Sequence, residues 1–142
     1  MNNEDGSILI GDIRIYPFME EQHFIQLFKE PLREDNYSGV KMLNQPVLIS
    51  GLFFWFTAVF KEDTLKGINL SNADKNLQNS YADWSNERNR LKRLSHDTWL
   101  EEQLGKPYEK TATAIIFKRS WGEVTSYTDM KGGGVEISLY YK

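Results

Sequence analysis

Apolar residues in this chain recur at two spacings, the three-to-four of a helix and the two of a strand, and the changes between them mark out the elements. Residues Ser7–Pro17, SILIGDIRIYP, alternate at Ile13 and Ile15 and predict a strand interrupted at Gly11. The stretch FMEEQHFIQLFKEP sets Phe24, Leu27 and Phe28 on one helical stripe. Glu20 and Glu21 fall in its first turn, where carboxylates complement the helix dipole, and Pro31 stops it. Three strand-like pieces follow. YSGVKML meets a turn at Asn44-Gln45-Pro46, and VLISGLFFWFTAVF (Val47–Phe60) returns with a bend at Gly51. After the turn KEDT, LKGINL (Leu65–Leu70) closes an antiparallel meander packed on one helix.

Residues 71–83 are almost wholly polar and read as a linker between halves. A second helix then carries Trp84, Leu91, Leu94 and Thr98 on one stripe, while Trp99, Leu100 and Leu104 lie on a rotated face. That rotation predicts a bend or restart near Ser95. In this reading Ser95 is the N-cap, Asp97 a first-turn anion, and Gly105 and Pro107 the stop. TATAIIFKRS and WGEVTSYTD predict two strands, Met130–Gly134 a loop, and VEISLYY a last strand alternating at Val135, Ile137, Leu139 and Tyr141. Phe24, Phe28 and Pro31 are echoed at a constant offset by Leu100, Leu104 and Pro107. The expected fold is therefore one α+β domain, residues 1–142, with an antiparallel sheet built from two helix-plus-β-meander halves, 7–70 and 84–142.

Composition narrows the function classes. The chain is 13% aromatic, as a folded protein should be, and its net charge of −3 comes from interleaved acids and bases. No basic face is available to neutralise phosphates, so nucleic acid is not an expected partner; the run Arg88–Arg93 is flanked by Asp83, Glu87 and Asp97. Cysteine is absent, which removes disulfides, thiolate metal sites and thiol nucleophiles. The acidic, polar first residues do not resemble a signal peptide, and the apolar run at 47–60 is broken by Ser50, Gly51 and Thr57. A soluble, cytoplasmic protein with no membrane partner is the expectation.

Few residues suggest chemistry. His96–Asp97 are adjacent on a helix and so diverge by about 100°, too far for Asp97 to orient the imidazole, and the pair reads as structural. Glu20 and His23 have a Glu-x-x-His spacing, but no second such pair or His-x-x-x-His completes a metal site, and no cofactor is expected. The glycines of MKGGGVE lead into a strand, where a phosphate loop would lead into a helix. Trp55, in the most apolar strand, reads as core, and Trp84, Trp99 and Trp121 read as rings that join the two halves.

WLEEQLGKP followed by strand, turn and strand resembles the helix–Leu-Gly-x-Pro–strand pattern of the small outer-membrane assembly lipoproteins. The tandem arrangement resembles the β-lactamase-inhibitor-protein-like fold. The carboxy-terminal stretch is similar to small bacterial proteins without an assigned activity. The likeness covers mainly residues 95–141 and more faintly 18–70, and the chain departs from the lipoproteins in having no cysteine to lipidate. What the resemblance implies is a protein-binding scaffold without catalytic residues. Two functions stay open: a non-catalytic protein-binding module (an inhibitor, immunity-type or scaffold protein, with a homo-oligomer among its possible forms), or a small-ligand binder or enzyme with a pocket between the halves that uses His96, Asp129 or Tyr127. For the first, Trp121, Tyr127, Asp129 and Lys131, around the last hairpin, are the candidate contacts.

Overall fold

The structure, a computed structural model, describes residues 1–34 and 37–142. A hairpin of β1 (Ile8–Ile10) and β2 (Ile13–Ile15) is followed by α1 (Glu21–Leu27). Four strands come next: β3 (Val40–Met42), β4 (Val47–Ile49), β5 (Leu52–Lys61) and β6 (Thr64–Asn72). After a 3-10 turn at Lys75–Leu77 the second half consists of α2 (Asn86–Leu104), β7 (Glu109–Lys110), β8 (Ala114–Arg119), β9 (Gly122–Thr128) and β10 (Val135–Tyr141). The expected α+β class and antiparallel sheet are both present. The two meanders join through their last strands, giving the order β3-β5-β6-β10-β9-β8-β7, with β4 pairing β5 beyond β3.

Pairing of β6 with β10 sets Leu70 opposite Ile137 and Ile68 opposite Leu139. Because side chains alternate along a strand, this register turns the apolar parity of both halves to one side. Two core rows then run across the sheet. One is Ala58, Ile68, Leu139, Val124 and Phe117, and the other is Phe56, Leu70, Ile137, Ser126 and Ile115; all are buried. The hairpin contributes Ile8 and Ile15, α1 contributes Phe24, and α2 contributes Trp99, Leu100 and Leu104 to the one core that these rows belong to. Phe24 of α1 lies 5.4 Å from the ring of Phe60 and 4.7 Å from Phe28, ring centre to ring centre. The four anchors expected from the sequence, Phe24, Phe28, Leu100 and Leu104, are all buried.

Several local expectations fail. Val47–Ile49 does not run on into β5. Ser50 and Gly51 both take positive φ (45° and 91°), which makes a two-residue hairpin there and leaves β4 on the sheet edge. Helix α2 is continuous through Ser95. Its N-cap is Ser85, whose Oγ accepts the Arg88 N–H at 3.3 Å. Ser95 instead donates to the Lys92 carbonyl and accepts from Asn72 Nδ2. The buried stripe is Lys92, His96, Trp99, Leu100 and Leu104, so Trp84, Leu91, Leu94 and Thr98 face outward. With a lysine and a histidine at its head, that stripe does not look apolar in the sequence. Ser71 and Asn72 of the polar segment belong to β6, and the remainder joins β6 to α2, where the Arg88 guanidinium donates to the carbonyls of Gln78 and Asp83. No helix among the described residues is long and apolar enough to cross a membrane.

Loss of the cap in Ser85→Ala should cost about 1 kcal/mol in urea unfolding. Leu104→Ala and Phe28→Ala should each cost about 2–5 kcal/mol by opening a cavity at opposite ends of the chain. A near-neutral result for either large-to-small change would mean that its helix does not anchor the core.

Candidate functional site: an uncovered sheet face

With the core on one side, the second side of the sheet carries the other parity of every strand, and neither helix covers it. Its central rows follow from the register. One reads Val40, Val59, Gly67, Tyr140, Glu123 and Lys118, and the next reads Met42, Thr57, Asn69, Ser138, Thr125 and Ile116. Beyond them lie Trp55 opposite Ser71, and Tyr127 between Glu136 and Ala114. The large side chains stand well into solvent: Phe53 is 57% exposed, Trp55 44%, Leu48 49% and Tyr140 57%. Around Gly67, whose missing side chain lowers the floor, a shallow depression of about 450 Å³ is walled by Val59, Lys61, Lys66 and Tyr140.

Trp55 is thus a surface residue, against the expectation that it is core. The signal was present in the sequence. In FFWF, aromatic residues occupy both parities, so a strand with Phe54 and Phe56 inward must send Phe53 and Trp55 outward. Phe53, Trp55, Leu48 and Tyr140 are the surface residues that periodicity alone passed over.

The four expected contacts do not converge. Tyr127 lies half-buried on the open face, and its hydroxyl donates to Glu136 Oε2 at 3.2 Å. Asp129 and Lys131 share the β9–β10 loop tip, where the Asp129 carboxylate accepts the Lys131 N–H at 3.0 Å. The backbone amides of Gly132 and Lys131 hold the Asp129 pKa below its usual value. Trp121 precedes β9 at the other end, about 23 Å away along seven extended residues. Its ring packs over Gly6 and beside Tyr141, and its indole N–H donates to the Asn3 carbonyl at 2.9 Å. It fastens the amino-terminal segment to the sheet. Among the other tryptophans, Trp99 joins Phe54 in the core at 4.8 Å, whereas Trp84 is exposed and lies against Gly133. A cleft of about 360 Å³ between α2 and the loop is lined by Trp84, Arg93 and Asp129.

His96 has no exposed surface. Its Nε2 accepts the Asn72 backbone N–H at 2.9 Å, which places the ring proton on Nδ1, and Nδ1 bonds no protein group. Burial, reinforced by the positive charges of Lys92 and Arg93, pulls its pKa from 6.5 down to about 3. Asp97 turns to Arg93, Nε to Oδ1 2.9 Å, and not to the imidazole. A neutral ring sealed between helix and sheet meets no substrate; it ties α2 to the end of β6. His23 is exposed and shares a 3.2 Å hydrogen bond with the Tyr16 hydroxyl. No group of three or more metal-ligating side chains occurs among the described residues. Nor do His96, Tyr127 and Asp129 share a pocket: His96 is on the core side of the sheet, Tyr127 on the open side, and Asp129 at the loop tip. Compared with protein-family models, curated proteins and solved structures, the chain matches none.

The depressed His96 pKa fixes the sign of a pH effect. The unfolded chain takes up a proton near pH 6.5 and the folded chain only near 3, so this contribution to stability is complete above 6.5 and is lost as the pH falls toward 3. Between pH 7 and pH 5 unfolding should become easier by about 2 kcal/mol in denaturant titrations. His96→Phe should be less stable at pH 7, by about 1–3 kcal/mol, because the Asn72 N–H loses its acceptor, and its stability should change less over that interval. An equal pH dependence in both proteins would assign the effect to other groups.

Proposed function

We propose that the protein is a non-catalytic protein-binding module and that the open face of its sheet is the binding surface. The observation that carries this reading is the cluster Leu48, Phe53 and Trp55, exposed on a face that neither helix of the chain covers, with Tyr140 farther along it. Chains bury such rings when they can. A large exposed apolar patch rimmed by polar groups is the surface that protein recognition uses, with aromatic residues as its anchors. The floor between the rings is small and uncharged (Thr57, Asn69, Ser138, Thr125), which suits contact with another folded surface more than capture of a small molecule. A scaffold, inhibitor or immunity-type role is consistent with this. So is a cytoplasmic setting, for a chain without cysteine whose surface offers no basic face to nucleic acid.

Alanine substitution tests the surface against any protein recovered with the wild-type chain as bait. Trp55→Ala and Phe53→Ala should each weaken binding by at least ~1–2 kcal/mol in titration while leaving the melting temperature nearly unchanged, since neither ring is core. Leu94→Ala, on the outward side of α2, should bind as the wild type does. Full affinity in both ring variants would remove the sheet face as the binding surface.

A further inference from the structure

The open face is close to self-complementary. Consider a second copy laid face to face on the first, related by a two-fold axis that runs parallel to the strands between β6 and β10. Each half of one copy then meets the opposite half of the other: β6 lies over β10, β5 over β9 and β3 over β8. In the middle row Asn69 meets Ser138, Thr57 meets Thr125, and Met42 meets Ile116. Amide faces hydroxyl and hydroxyl faces hydroxyl, and at the edge Met42, whose Sδ accepts from Arg33 Nη1 at 3.6 Å, faces Ile116. In the next row the half-exposed Tyr140 ring falls on the Gly67 depression of the other copy, a projection over a hollow. Trp55 comes over Tyr127.

Charge follows the same exchange. The first half carries Lys61 and Lys66 on this face, and the second carries Glu109, Glu123 and Glu136 together with Lys118. Neither Lys61 nor Glu123 has an ion-pair partner among the described residues. Laying β5 over β9 brings them within one row of each other, in reach of a lysine stem. An isologous interface needs this property, that a patch complement itself through a two-fold. Five long strands at about 4.8 Å spacing, each offering about 23 Å of length, present about 550 Å² per copy, or about 1,100 Å² in all. With the edge residues Val40, Met42 and Leu48 added, the area reaches the roughly 1,200–2,000 Å² of specific interfaces. Sheets packed face to face keep their strands within about 30°, so the rows nearest the axis stay in register despite the twist.

We infer that the partner seated on the open face is a second copy of this chain, in a two-fold sandwich of the two sheets. The inference rests on the reading of that face as a protein-binding surface and names its occupant.

Sedimentation equilibrium on the full chain, from about 1 μM to about 1 mM, tests it. The wild type should dimerise with a dissociation constant in the micromolar range, as expected at the low end of interface size. Tyr140→Ala should weaken the dimer about tenfold or more with an unchanged circular dichroism spectrum, and so should Glu123→Lys, whose melting temperature falls a little in the monomer because Lys118 lies opposite it on β8. The double exchange Lys61→Glu with Glu123→Lys should recover most of the affinity lost in Glu123→Lys, because each new pair keeps opposite charges. A chain that stays monomeric to 1 mM overturns the dimer. So does a dimer indifferent to Tyr140→Ala and to charge reversal, which would be built on another surface. A monomeric chain that binds a different protein, and loses it in Trp55→Ala, overturns the second copy as occupant and leaves the binding-surface reading standing. If Trp55→Ala also binds that protein fully, both fail.

Discussion

Pairing of β6 with β10 is the constraint on which the rest of the molecule depends. Each half ends in an alternating strand, and neither helix could cover both faces of its own meander. Joining the two last strands, with Leu70 opposite Ile137 and Ile68 opposite Leu139, makes one sheet with a common inner side. A slip of one residue would turn the apolar parity of one half outward and separate the core into two inadequate pieces. The same register leaves the opposite side bare. The proposed binding surface is therefore a geometric consequence of how the core is assembled, and not an addition to it.

Helix α2 shows how much polar burial that assembly tolerates. Its inner stripe begins with Lys92 and His96 before it reaches Trp99, Leu100 and Leu104. Lys92 is buried at the level of its stem while its ammonium reaches Gln78 Oε1 at 3.4 Å, and burial lowers its pKa. His96 stays neutral and accepts a backbone N–H that the end of β6 would otherwise leave unpaired. The amino-terminal part of the helix is thus held by hydrogen bonds, through Arg88 to residues 78–83 and through Asn89 to the Gly133 carbonyl. The carboxy-terminal part is held by packing. One cation of the helix, Arg88, satisfies two carbonyls of the polar segment before it.

On the open side the balance is reversed. Large rings lie in solvent over a floor of threonine, serine and asparagine, and the depression at Gly67 comes from the absence of a side chain. Small polar groups across the middle and aromatic groups toward the ends leave a face that can approach another surface closely. The groups with the most suggestive chemistry in the sequence are elsewhere: His96 is in the core, Trp121 is fastened to Asn3 and Gly6, and Asp129 closes its own loop.

The sequence alone determined the class of the fold, the order of its elements apart from the separate strand β4 and the two-residue β7, and the four anchors Phe24, Phe28, Leu100 and Leu104, because these rest on local periodicity and on proline and glycine stops. It also held, unread, the outward direction of Phe53 and Trp55, since adjacent aromatics on one strand must point both ways. Two things were not legible. The face that α2 buries depended on the hydrogen bond from Asn72 to His96, a contact across twenty-four positions that makes a histidine an inner residue and frees Leu91 and Leu94 to face out. The convergence of surface residues depended on strand order, since β9 separates Trp121 from Asp129 while β6 and β10, far apart in the chain, bring Gly67 and Tyr140 side by side. Periodicity reports what a residue's own element prefers; only the assembled sheet decides which elements share a side.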